Sequence, residues 1–144
     1  MQIIVGFGNK LRGEDAFGVD VISKLQKLNL PSVKLISTFQ LTPELSLELQ
    51  EATQIIFIDA AYCEQEKYRL GCIIEERNKS LLSHHISIKT MMAILENLYE
   101  ITPNFEVFSM LTNSFDKITN EEEYEKCLDK VVIFIEEQLS KLNC

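Results

Sequence analysis

The sequence predicts a single α/β domain over residues 1–144. Its architecture is a three-layer sandwich, with a mostly parallel five-stranded sheet covered by helices on both faces. Three observations carry that prediction. Short β-branched apolar runs alternate with stretches of helical spacing along the chain. The runs are continuously apolar, as expected of strands buried on both faces. The chain of 144 residues is long enough to build one core without covalent staples.

The elements follow in order. QIIVGF (2–7) is bounded by Gly and Asn and reads as the first strand. Residues 15–29 place Phe17, Val21, Ile22, Leu25 and Leu28 at helical spacing, closed by Pro31. VKLIST (33–38) is the second strand. Pro43 stands where a first helical turn tolerates it, and a short helix is expected over ELSLELQEA. QIIFIDA (54–60) is the third strand. LGCIIEE (70–76) is the fourth; no helix separates it from the third, which leaves room for an antiparallel placement. Residues 86–99 put Ile88, Met91, Met92, Leu95 and Leu98 on one helical face. NFEVFSML (104–111) is the fifth strand. The last helix, 120–142, turns Tyr124, Leu128, Val131, Val132, Ile135 and Leu139 inward.

Composition excludes several function classes. Fourteen basic against 22 acidic residues give a net charge of −8, a sign that repels nucleic acid and anionic lipid. Much of the excess lies in the last helix, where acids such as Glu121, Glu122, Glu123 and Glu125 read as a solvated face. No apolar run approaches the ~20 residues of a membrane span, so no membrane insertion is expected. The opening MQIIVGFGN lacks the basic segment of a secretory leader. Cys63, Cys72, Cys127 and Cys144 show no C-x-x-C pair, which argues against a zinc ribbon or thioredoxin-type motif. Reduced thiols in the cytoplasm are the expectation.

In open parallel sheets ligands sit outside the carboxyl ends of the strands, where strand order reverses. That directs attention to the loops after Phe7 and after Ile58. The first, GFGNKLRGEDAFGVD (6–20), begins like a dinucleotide fingerprint, but Leu11 stands where the third glycine belongs. No acid ends the second strand either, which reads Ser37-Thr38 there. The loop ends in Glu14 and Asp15; helix capping or a first-turn acid is the ordinary role for such a carboxylate. Asp59 ends an otherwise apolar strand, where a carboxylate is costly unless paired, capping or metal-bound. His84 and His85 are the only histidines, and a surface role suits either. Taken together, two carboxylates at neighbouring strand ends plus an imidazole make a three-ligand N/O site. Such a site suits a borderline divalent ion such as nickel or zinc.

At these residues the sequence resembles the hydrogenase maturation proteases. The resemblance covers about the first two-thirds of the chain. It rests on the block G-x-G-N-x-L-R-G-E-D-A-F-G at 6–18, on Q-L-T-P-E-L at 40–45, on I-F-I-D-A at 56–60 and on H-H-I-S-I at 84–88. It implies an endopeptidase that removes the C-terminal extension of a nickel–iron hydrogenase large-subunit precursor after nickel insertion. The implied metal is the precursor's own nickel, with another divalent ion as the alternative. The implied catalytic and metal-contacting residues are Asp15, three before Gly18; Asp59, at the end of the third strand; and His84, four before Ile88. His85 takes the variable place after it. The implied partner is the precursor, with no nucleic acid.

Two departures bear on substrate choice. Many members carry Asp-Gly-Gly after the second strand, where this chain has Thr38-Phe39-Gln40. The Pro-containing turn after the fifth strand is replaced by Leu111-Thr112-Asn113 and an acidic helix. Two other readings stand beside the protease. One is a non-proteolytic nickel or hydrogenase-assembly chaperone. The other is a small nucleotide-binding protein using the Gly6–Gly8 loop.

Overall fold

The computed structural model describes residues 1–64, 68–71 and 86–142. Among the described residues five strands form one sheet: β1 (Gln2–Phe7), β2 (Val33–Thr38), β3 (Gln54–Tyr62), β4 (Arg69–Gly71) and β5 (Asn104–Thr112). Three α-helices accompany them among those residues: α1 (Phe17–Gln26), α2 (Ile88–Tyr99) and α3 (Glu121–Leu142). The strand order is β2-β1-β3-β5-β4. β1 pairs parallel with β2 and β3, and β3 pairs parallel with β5. β4 runs antiparallel to β5, with Leu70 opposite Met110. The expected fold class is therefore the observed one. The fourth strand begins at Arg69, and residues 72–76 of the expected strand lie outside the described residues.

Period-two geometry divides the continuous apolar runs between two cores. Ile4, Ile56, Ile58 and Met110 face α1 and α3, against Phe17, Val21, Ile22, Leu25, Tyr124 and Leu128. Ile3, Val5, Ile55, Phe57 and Val107 face the opposite layer, against Leu41, Leu45, Leu49, Met91 and Leu95. Both faces of the sheet are covered, as the lack of polar alternation predicts.

Three helical expectations need correction. Residues 15–29 do not form one helix. A 3-10 turn at Gly13–Ala16 precedes α1, which ends at Gln26, so Leu28 is left exposed. Residues 43–49 form a 3-10 helix with Pro43 in its first turn. There the Ser46 hydroxyl donates to the Pro43 carbonyl at 2.7 Å, competing with the backbone ladder. In α2, Ser87 caps the N-terminus by accepting from the Thr90 amide at 3.1 Å. Met91 and Leu95 are buried, but Leu98 is 71% exposed rather than inward. α3 matches its expectation, with all six predicted inward residues buried.

Beside the Lys24 ion pairs with Glu125 and Asp129, a more buried polar contact bridges α1 and α3. The Tyr124 hydroxyl donates to Asp20 Oδ2 at 2.6 Å. Burial, and then the carboxylate of Asp20, push the phenol above its ordinary pKa. Its stabilising contribution is thus complete below the unfolded value of ~10 and is lost as pH rises beyond it. Tyr124→Phe is expected to cost about 1–2 kcal/mol at pH 8. The gap to wild type should narrow at pH 10.5 in chemical denaturation. An unchanged gap would show that the hydroxyl is not the source.

Candidate functional site

The strand order reverses between β1 and β3: β1 leads outward to β2, and β3 leads outward to β5. The crevice at the carboxyl ends of these strands is where an α/β sheet takes a ligand. Three glycines build it by close approach. A methyl group on Gly18 would lie 2.2 Å from Ile58 O, 2.7 Å from Phe7 N and 2.8 Å from Phe7 O. The first turn of α1 therefore rests directly on the end of β1 and on the middle of β3. On the sheet side, a methyl on Gly6 would lie 2.1 Å from Gly18 O. Gly8 has φ +152°, and a methyl there would lie 2.0 Å from Asp15 O. These glycines meet the chain's own backbone at close range, where no larger side chain would fit.

That packing sets the positions of the two expected acids. Asp15 lies in the 3-10 turn, three residues before Gly18. It does not cap α1; its Oδ2 accepts from the Asn9 amide at 3.2 Å, back across the loop. Burial raises the Asp15 pKa, and the Asn9 amide and Arg12 only partly oppose it. Asp59 follows Ile58 in β3 and lies opposite Ser109 of β5. The Ser109 hydroxyl donates to Asp59 Oδ1 at 2.6 Å. Asp15 and Asp59 thus lie on either side of the contact of Gly18 with Ile58, and each accepts a hydrogen bond from a donor of the chain.

His84 and His85 lie outside the described residues. Among the described residues, no three His, Cys, Asp or Glu side chains gather into a group that could hold a metal. Asp15 and Asp59 are the described residues of the expected ligand set.

Glu14 occupies a different environment from its neighbour. It is fully buried. Its carboxylate accepts hydrogen bonds from the hydroxyls of Tyr68, Thr112, Ser114 (3.1 Å) and Thr119 (3.4 Å) and from the Thr119 amide (3.2 Å). Burial alone would raise its pKa; the donors, led by Thr112 and Tyr68, outweigh burial and hold it below the ordinary value. Sequence reasoning missed this network and also Ser109. The available signal was hydroxyl residues in and just after the apolar fifth strand.

No family model matches the chain. A protein of Methanocaldococcus jannaschii provisionally named a hydrogenase maturation protease is 62% identical over 29 residues. That match spans 20% of this chain and 19% of the relative. Solved structures match over nearly the whole chain. The [NiFe] hydrogenase maturation protease HycI of Thermococcus kodakarensis superposes with a TM-score of 0.73 and 19% identity, covering 96% of this chain and 92% of its own. The hydrogenase 2 maturation peptidase of a Thaumarchaeota archaeon gives 0.68 and 22%, covering 96% and 97%. The maturating endopeptidase HybD of Escherichia coli gives 0.72 and 17%, covering 95% and 93%. The chain has the fold of the hydrogenase maturation proteases, and the resemblance read from its sequence is borne out.

Proposed function

We propose that this protein is a hydrogenase maturation protease. It would remove the C-terminal extension of a nickel–iron hydrogenase large-subunit precursor once nickel is in place. The observation that carries the reading is the placement of Asp15 and Asp59. The shared fold supports the reading, with Asp15 three residues before Gly18 and Asp59 next to Ile58, the β3 residue that Gly18 packs against.

Nickel enters as part of the substrate. Asp15 and Asp59 supply carboxylate oxygens, and His84 is proposed as the imidazole ligand. Such an N/O set suits a borderline divalent ion, nickel first and another divalent metal second. Bound there, the ion supplies Lewis-acid polarisation of the scissile carbonyl. The chain's own contribution is orientation. The Asn9 amide holds the Asp15 carboxylate, the Ser109 hydroxyl holds that of Asp59, and the glycine contacts fix their backbones. Recognition through the precursor's metal also orders maturation, because an empty precursor lacks the docking ion. The partner is the precursor and the compartment proposed is the cytoplasm. Among the described residues no helix is long and apolar enough to cross a membrane.

The test sets nickel-loaded beside nickel-free precursor from the same organism and follows both on a denaturing gel. The loaded form is expected to shorten and the empty form to persist. Shortening of both forms would remove nickel from the reading. Binding without shortening would replace the protease by an assembly chaperone.

A further inference from the structure

Asp15 and Asp59 are carried by separate segments; the Gly18 contact with Ile58 ties their backbones, and a second, polar tie runs through the end of β5. The turn bearing Asp15 is seated against the loop that follows β5. The Asp15 amide donates to Phe115 O at 3.4 Å, and a methyl on Gly13 would lie 2.3 Å from Lys117 Cα. The Arg12–Asp116 ion pair crosses the same boundary at 2.7 Å, but its side chains are 47% and 84% exposed. A pair so exposed contributes little. The buried tie is Glu14. One of its oxygens takes hydroxyls from Thr112, the last residue of β5, and Ser114. The other takes Tyr68, the residue before β4, together with the amide and hydroxyl of Thr119. Ser109, which orients Asp59, lies three residues before Thr112 on β5.

We infer that Glu14 is a positioning residue: its buried carboxylate locks the Asp15-bearing turn to the end of β5, so that Asp15 and Asp59 keep one fixed relation. The inference rests on the proposed protease reading for its catalytic consequence, but the geometry can be tested separately. A carboxylate suits this place because both of its oxygens accept. An amide of the same shape keeps one acceptor; with that oxygen toward the Thr119 N–H, its NH2 faces the Thr112 and Ser114 hydroxyls, which lose their acceptor and must turn to accept instead. The consequence is a loosened turn in a folded protein. A misplacement of about 1 Å at a reacting centre costs on the order of a hundredfold in rate.

The experiment compares wild type with Glu14→Gln by amide hydrogen exchange and by precursor processing. The Asn9 amide bonds to Asp15 Oδ2 and the Gly8 amide to Thr38 O, on the same loop. In Glu14→Gln the Asn9 amide is expected to exchange about tenfold faster while Gly8 is unchanged. kcat on nickel-loaded precursor should fall roughly ten- to hundredfold with KM within about a factor of two. Equal acceleration of Asn9 and Gly8 would reveal general loosening and overturn the inference. So would wild-type exchange and kcat. Should Glu14→Gln fail to fold, Thr112→Val and Ser114→Ala remove single donors and must show the same selective pattern, smaller in size. If wild type itself leaves loaded precursor uncut, the protease reading fails. The Asn9-to-Gly8 comparison then still decides whether Glu14 positions Asp15.

Discussion

Asp59→Asn is expected to abolish precursor processing, at least a thousandfold below wild type, while leaving the protein folded. A loss of that size is about 4 kcal/mol of transition-state stabilisation. It follows because an amide keeps the shape of the side chain but lacks the charge a divalent ion requires. Stability should change by no more than about 1 kcal/mol. The Ser109 hydroxyl that donates to Asp59 Oδ1 can donate equally to the amide oxygen. Asp15→Asn should match it in activity and differ in stability. Burial raises the Asp15 pKa above its ordinary value. A raised acid contributes stability below its unfolded pKa and loses it as pH rises through the folded one. Burying the charged carboxylate therefore costs the folded state, a cost an amide does not carry, and Asp15→Asn should melt no lower than wild type. Processing at wild-type rate by either variant would remove that acid from the site. Thermal melts and initial rates on the same preparations separate lost chemistry from lost fold.

Gly18→Ala is expected to have the opposite profile, losing the fold before the chemistry is reached. Two effects compete. Replacing a helical glycine by alanine favours the helix by ~1 kcal/mol. Against that, the new methyl would stand 2.2 Å from Ile58 O, 2.7 Å from Phe7 N and 2.8 Å from Phe7 O. All three are backbone atoms of central strands and cannot swing aside. Ordinary overpacking costs 1–3 kcal/mol, and a clash with two strands at once belongs above that range. A net loss of about 3 kcal/mol or more should lower the melting temperature by roughly 10 °C. A Gly18→Ala protein that melts with wild type would mean that α1 does not rest on β1 and β3 as described.

The layers of the fold were legible because continuous apolar runs of strand length announce burial on both faces, and α3 was legible because its six inward residues keep one helical face. The errors have local causes. Leu28 and Leu98 continue a helical spacing arithmetically, but α1 ends at Gln26, and an exposed apolar residue at a helix end costs little. The 3-10 conformation at 43–49 was hidden because apolar spacing over seven residues does not separate it from a short α-helix. At the site, Asp59 could be read from a charge closing an apolar strand, and the 6–18 block singled out Asp15. Their supports could not be read so directly. Ser109, Thr112, Ser114 and Thr119 come from the stretch 109–119 and Tyr68 from another, and the pairing of β5 with β3 and β4 brings them to Glu14 and Asp59. Glu14 shows the same limit from the other side. Beside Asp15 in sequence it looks like a second site acid, whereas folding buries it completely and commits both oxygens to donors within the chain.

The proposed cleavage of a metal-loaded hydrogenase precursor near its C-terminus is read most directly from the intact mass of nickel-loaded large-subunit precursor before and after incubation with the purified protein. A single loss equal to one C-terminal peptide, recovered in the same sample, is expected, and no loss with Asp59→Asn. An unchanged mass, with nickel confirmed in the precursor and the protein folded, would contradict it.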